Sequence, residues 1–225
     1  MPETIKEHDF IELDYTGKLA DGTIFDTTLE KVAKENNLFS EKRKYLPTTI
    51  CVGEKQVLPG LDDELIGKDI GKEYAVTLPP EKAFGKRDIK KMRIVPTNSF
   101  KEHKVEPHPG LQVDIDGEMG IISRVSGGRT IVNFNHPLSG KEVTYTFKIN
   151  KRIEEPKDKL ISYITMSLGI PKEMIKAEVK ENKAEVKLPF ELPAQVTDLL
   201  ANKLSELVKL ETTFSKEEAK KDTEK

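Results

Sequence analysis

The stretch EVTYTFKIN, residues 142–150, constrains the fold more than any other. Val143, Tyr145, Phe147 and Ile149 alternate with Thr144, Thr146, Lys148 and Asn150, so the extended chain buries one face and wets the other. That pattern suits an antiparallel sheet covered on one side, although periodicity alone leaves open which sheet of the molecule the strand joins. The same texture recurs in DFIELDY, residues 9–15, where Ile11, Leu13 and Tyr15 share a face, and in KEYAVTLPP, where Tyr74, Val76 and Leu78 do. GKLADG, residues 17–22, carries an Asp-Gly pair suited to a hairpin, after which TIFD returns as a strand and TTICVG supplies another. Residues 29–46 are charged with irregular helical spacing and predict an insertion carrying one short helix.

Residues 111–135, LQVDIDGEMGIISRVSGGRTIVNFN, are short alternating strands cut by Asp116-Gly117 and Gly127-Gly128, which predicts a small sheet of hairpins. After Pro156 the character changes. KLISYITMSLGIP is an amphipathic helix stopped by Gly169 and Pro171, AEVKENKAEVKLPF a hairpin, and AQVTDLLANKLSELVKL a second helix. Its apolar side carries Val196, Leu199, Leu200, Leu204, Leu207 and Val208. The tail from Lys216 lacks apolar residues and is expected to be disordered. With only 36% hydrophobic residues in 225, several small units fit better than one large core. The expected class is α+β.

Composition excludes much. The formal charge is −2 with both signs interspersed, which gives no basic surface for nucleic acid. No apolar run approaches the ~18 residues of a membrane helix, and MPETIKEHDF lacks a leader pattern. The lone Cys51, set in TTICVG, reads as a core thiol in a reducing compartment, so the chain is expected to be cytoplasmic. Of the four histidines, His103 and His108 lie near Glu102 and Glu106 in a spacing that matches no structural zinc pattern. No metal or cofactor is expected. Nucleophile-elbow and phosphate-loop motifs are absent.

What remains is a set of aromatic and apolar residues in unusual company. Tyr15 ends LDYTG, Phe25-Asp26 puts a carboxylate after an aromatic, and KQVLPGLDDELIGK breaks a strand with Pro59-Gly60 and starts a short acidic helix. Taken in order, DYTGKLADGTIFDTT, GEKQVLPGLDDELIGKDIGKEY and PPEKAFG resemble the FKBP family of peptidyl-prolyl cis-trans isomerases over roughly residues 7–86, with VTYTFKIN as the last piece. The middle region, NHPLSGK above all, resembles the SlyD-like branch, in which a small chaperone domain is inserted in the flap. The carboxy-terminal part gives the impression of a long-chain archaeal member.

The resemblance implies a division into an isomerase domain of residues 1–86 plus 138–154, an inserted domain of 87–137 and a carboxy-terminal α+β domain of 155–225. It implies that Tyr15, Phe25, Asp26, Val57, Leu58, Leu61, Phe84 and Tyr145 form the pocket, with the Leu58 N–H facing the substrate. Leu61 stands where the family usually has Trp, and Phe84 where it often has Tyr. The implied partners are unfolded or proline-containing polypeptides. In the insert, Met119, Ile121, Ile122, Val125, Ile131, Val132 and Phe134 exceed what so small a sheet can bury on one face, and the surplus is expected to bind unfolded chains. A non-catalytic holdase working through the insert alone is the competing reading. The leucine-rich helix packs internally or against a second copy of the chain.

Overall fold

The computed structural model describes residues 4–217, which fall into two compact units, one of residues up to 77 together with those from 144 onward, the other of residues 78–143. The architecture is α+β, with antiparallel sheets and few helices.

In the first unit β1 (Phe10–Leu19) is the hub. Its first half pairs antiparallel with β3 (Thr48–Cys51), and its second half with β2 (Ile24–Thr27), which precedes the short α1 (Glu30–Glu35). After α2 (Pro59–Leu65) and β4 (Glu73–Leu78) the chain leaves the unit, to return in β9 (Val143–Arg152). The sheet order is β2-β1-β9-β4, so the strand with the cleanest alternation takes an interior place. Its Val143, Tyr145, Phe147 and Ile149 are all buried, as the period of two requires.

The second unit holds β5 (Met92–Pro96), α3 (Thr97–Glu102), β6 (Gln112–Ile115), β7 (Glu118–Ser126) and β8 (Arg129–Asn133). The strands form an antiparallel sheet in the order β5-β8-β7-β6. One face carries Ile122, Val132 and Phe134, which close a core with Phe100 of α3.

Beyond β9 the first unit continues with α4 (Pro156–Leu168), β10 (Lys176–Lys180), β11 (Lys183–Leu188), α5 (Ala194–Val208) and β12 (Glu211–Lys216). Pro156 at the first helical position and Gly169 at φ 67° start and stop α4 as their chemistry dictates. β10 and β11 make the expected hairpin, but β12 lies parallel to β11, with α5 as the crossover that parallel pairing demands. Nothing in the residue pattern announces β12, because ETTFSK is short and only Thr212 in it is buried. It runs to Lys216, where the tail was expected to begin, and the Glu217 N–H still donates to the Leu188 carbonyl at 2.7 Å. The rest of the tail, residues 218–225, lies outside the described residues. Leu160, Ile164, Val186, Leu200 and Leu204 share one core with Phe10 and Cys51 of the amino-terminal sheet. Among the described residues no helix is long and apolar enough to cross a membrane.

Candidate active site

The site is built where β1, β2 and β9 lie side by side. Strand register places Gly17 opposite Asp26, with a bulge immediately after Gly17. The Tyr145 ring then meets Tyr15 at 5.8 Å in a tilted pair and Phe25 at 5.8 Å edge-on. The Phe25 and Tyr145 rings close over Gly17, where a Cβ would stand only 2.7 Å from Phe25 Cζ and 3.0 Å from Tyr145 Cε1. A glycine inside a strand marks such close approach, and this one makes room for the cage.

Asp26 is bound on both oxygens. The Tyr15 hydroxyl donates to Oδ2 at 2.9 Å, and the Arg43 guanidinium donates to Oδ1 at 2.8 Å and to the Thr27 carbonyl at 3.3 Å. Arg43 also lies over the Tyr45 ring at 5.4 Å, and Tyr45 stacks on Phe39. The charged segment after β2 thus folds on itself and sends one cation back to the cage. Burial first, and the Asp26 charge second, push the Tyr15 phenol well above its ordinary value; Tyr145 is raised for the same two reasons. Both are neutral hydrogen-bonding or apolar groups at physiological pH.

The strand-break-helix segment is explained by its carboxylate. Leu58 is the N-cap residue of α2 with extended backbone (φ −53°, ψ 132°), Pro59 takes the first helical position, and the Leu58 carbonyl accepts from the N–H groups of Leu61 and Asp62. Asp62 is 2% exposed and accepts from the backbone N–H of Gly53 at 3.0 Å and of Lys55 at 2.8 Å. The acidic helix therefore fixes the turn that precedes it, where Gly53 and Lys55 have φ of 90° and 53°. Val57 and Leu58 are half-buried on this segment, while Leu61 is fully buried. Among the described residues the Leu58 N–H has no hydrogen-bond acceptor.

Of the eight expected pocket residues, Tyr15, Phe25, Asp26 and Tyr145 are brought into one cluster. Phe84 belongs to the second unit, where its ring stacks flat on His136 at 4.7 Å and its carbonyl accepts from the Ser139 hydroxyl. The seven insert residues divide. Strand pairing puts Met119, Ile121 and Ile131 on the outer face of the sheet with Ile94, which is 65% exposed. Ile122, Val132 and Phe134 are core, and Val125 packs against it. A cavity of about 550 Å³ beside α3, lined by Val95, Val105, Leu111 and Ile115 together with His103, Asp114 and Asp116, contains none of the seven.

Sequence reasoning missed Gly17, Arg43 and Asp62. Gly17 carried a legible signal, a glycine within an alternating strand. Arg43 carried none, because its partner lies 17 residues away across an irregular segment. Among the described residues no group of three or more His, Cys, Asp or Glu side chains could hold a metal ion.

Comparison with known proteins supplies the family. The short-type peptidyl-prolyl cis-trans isomerase of Methanocaldococcus jannaschii is 35% identical over 149 residues, covering 66% of this chain and 94% of that protein. The chain belongs to the FKBP-type peptidyl-prolyl cis-trans isomerase family. The family model described as FKBP-type peptidyl-prolyl cis-trans isomerase matches residues 1–106, and one described as the IF domain of FKBP26 matches residues 93–138. The FKBP-type 16 kDa isomerase of Escherichia coli K12 is 27% identical over 154 residues, covering 66% of this chain and 94% of that protein. The SlyD isomerase of Vibrio cholerae is 25% identical over 136 residues, covering 59% and 67%. The protein is an FKBP-type peptidyl-prolyl cis-trans isomerase, and its substrates are proline-containing polypeptides.

Proposed function

We propose that the enzyme catalyses isomerisation without covalent or proton chemistry, in a cage of Tyr15, Phe25 and Tyr145 assisted by the Leu58 N–H, and that the residue 87–137 insert supplies unfolded chains to it. An X-Pro bond rotates over a barrier of ~18–20 kcal/mol because rotation destroys amide resonance, which takes tens to hundreds of seconds unaided. The planar amide is more dipolar than the twisted one. Apolar walls therefore penalise the ground state more than the transition state, which is differential binding. A stabilisation of ~4–6 kcal/mol corresponds to roughly three to four orders of magnitude in rate. The observation that carries the reading is the pairing of Asp26, whose two oxygens are occupied by Tyr15 and Arg43. A carboxylate so held orients the aromatic wall. Val57 and Leu61 set the floor behind Leu58.

Support for a chaperone role comes from the outer sheet face bearing Ile94, Met119, Ile121 and Ile131, apolar side chains with no core beneath them. Ile122, Val125, Val132 and Phe134 stiffen that face from behind. Holding a client there raises its effective concentration at the cage. The reading places the chain in the SlyD-like branch as a long-chain archaeal form of the cytoplasm, with residues 155–225 as a third domain. Exposed Leu199 on α5, 72% accessible, favours a homodimer through that domain.

The test is refolding of a protein limited by a slow X-Pro step, beside turnover of a short Ala-Pro peptide. Full-length enzyme with Ile121→Ser and Ile131→Ser is expected to keep peptide turnover and to lose most of its refolding advantage. Equal refolding activity in variant and parent would refute the insert's role. Suppressed aggregation with no acceleration by catalytic amounts would leave only the holdase.

A further inference from the structure

Beside the cage lies a second cavity, of about 200 Å³, between α4, β3 and the segment preceding β3. Tyr15 belongs to both, one ring packing on Tyr145 and lining this cavity as well. Its chemistry is unlike the cage. Three cations, Arg43, Lys44 and Lys172, line it, and no carboxylate among the described residues does. Asp26 and Glu173 pair with Arg43 and Lys44 at 2.8 and 3.3 Å, and Asp14 accepts from the lining Thr28 hydroxyl at 2.7 Å, so Lys172 is the lining cation left without an ion-pair partner among the described residues. From α4, Ser162 and Thr165 face the same space. The Thr165 hydroxyl is buried and has no hydrogen-bond partner among the described residues. Buried hydroxyls are ordinarily paired, and leaving one unpaired is unfavourable unless something arriving from outside satisfies it.

We propose that this cavity is a substrate subsite that receives an acidic side chain of the polypeptide whose X-Pro bond occupies the Tyr15–Phe25–Tyr145 cage. The inference rests on the isomerase reading of that cage. A carboxylate accepts from the Thr165 hydroxyl and answers the charge of Lys172, and the volume holds one side chain. Because Tyr15 borders both spaces, a single chain can enter both. The carboxy-terminal segment thereby contributes to substrate choice.

The experiment measures kcat/KM at low salt for peptides carrying Glu, Gln, Lys or Ala at each position flanking an Ala-Pro pair. Parent, Thr165→Val and Lys172→Glu enzymes are compared, with free glutamate added in a separate arm. At one position Glu is expected to exceed Lys by about 5-fold in the parent. That ratio should fall in Thr165→Val and vanish or invert in Lys172→Glu, while the all-Ala peptide is turned over equally by the three enzymes. A flat series with the all-Ala peptide turned over normally overturns the subsite and leaves the isomerase reading standing. Inhibition by free glutamate without any peptide preference overturns it in favour of a small-molecule anion site. No turnover of any peptide overturns both.

Discussion

Replacing Gly17 with alanine probes the cage at its tightest point. The new Cβ would stand 2.7 and 2.9 Å from Phe25 Cζ and Cε2 and 3.0 Å from Tyr145 Cε1. Comfortable carbon contacts lie at about 3.5–4.0 Å, so two rings must each retreat by roughly 0.5–1 Å. Overpacking of this kind costs about 1–3 kcal/mol, and in a chain of this length each kcal/mol lowers Tm by about 2–4 °C. The functional cost is larger, because a misplacement of ~1 Å at a reacting centre can cost on the order of 10²-fold. We expect Gly17→Ala to lower kcat/KM on an Ala-Pro peptide by about 10- to 100-fold. Protease-coupled or conformer-resolved kinetics measure the first quantity, and thermal unfolding the second. Parental kcat/KM in a variant that melts normally would show that ring placement over Gly17 does not matter, and desolvation by the cage would lose its geometric basis.

Asp62→Ala should leave the Gly53 and Lys55 N–H groups unpaired and cost about 2–4 kcal/mol, read as a lower urea midpoint, with KM rising as the Leu58 segment loosens. Burial pushes the Cys51 thiol up to about 12, with the Glu54 charge adding to it. The native protein should resist a thiol reagent that reacts at once after unfolding. Tyr15, Tyr145 and Tyr163 are all raised above their ordinary values, chiefly by burial, Tyr163 to about 12. Above their unfolded pKa of about 10 the unfolded chain ionises first. Stability is therefore full below that pH and declines as pH rises through the interval, which denaturant titrations at stepped alkaline pH would show. Glu54, 10% exposed, accepts from Tyr163 and pairs with Lys203 of α5 at 2.8 Å. Glu54→Gln should loosen the packing of α4 and α5 and raise amide exchange in both helices.

In the first sheet β4 and β9 were legible because each carries a clean period of two, β2 and β3 because a turn and an apolar run mark them, and α4 because Pro156 and Gly169 bracket it. The cage was legible only as a set of residue types. Tyr15, Phe25 and Tyr145 are ordinary strand aromatics until register brings them into one cluster, two of them over Gly17. Arg43 could not have been found, since nothing local tells a charged loop which of its cations will turn inward. β12 escaped for a related reason: a parallel edge strand draws its order from the crossover and from β11, and hardly from its own sequence. In the insert the surplus of apolar residues was visible, but its division between faces depends on the register of β7 with β8 and on the bulge after Ile122. A one-residue slip would exchange the two sets.

The central claim is that isomerisation here needs no proton transfer, and the most direct measurement is the pH profile of kcat/KM from about pH 5.5 to about pH 9, run for parent and Asp26→Asn. Without proton transfer both profiles should be flat to within about twofold, and the variant should retain most of the parental rate because its amide oxygen still accepts from the Tyr15 hydroxyl. A rate that titrates with a carboxylate, together with collapse of Asp26→Asn by about 100-fold or more, would make Asp26 a proton-transfer catalyst and contradict that claim.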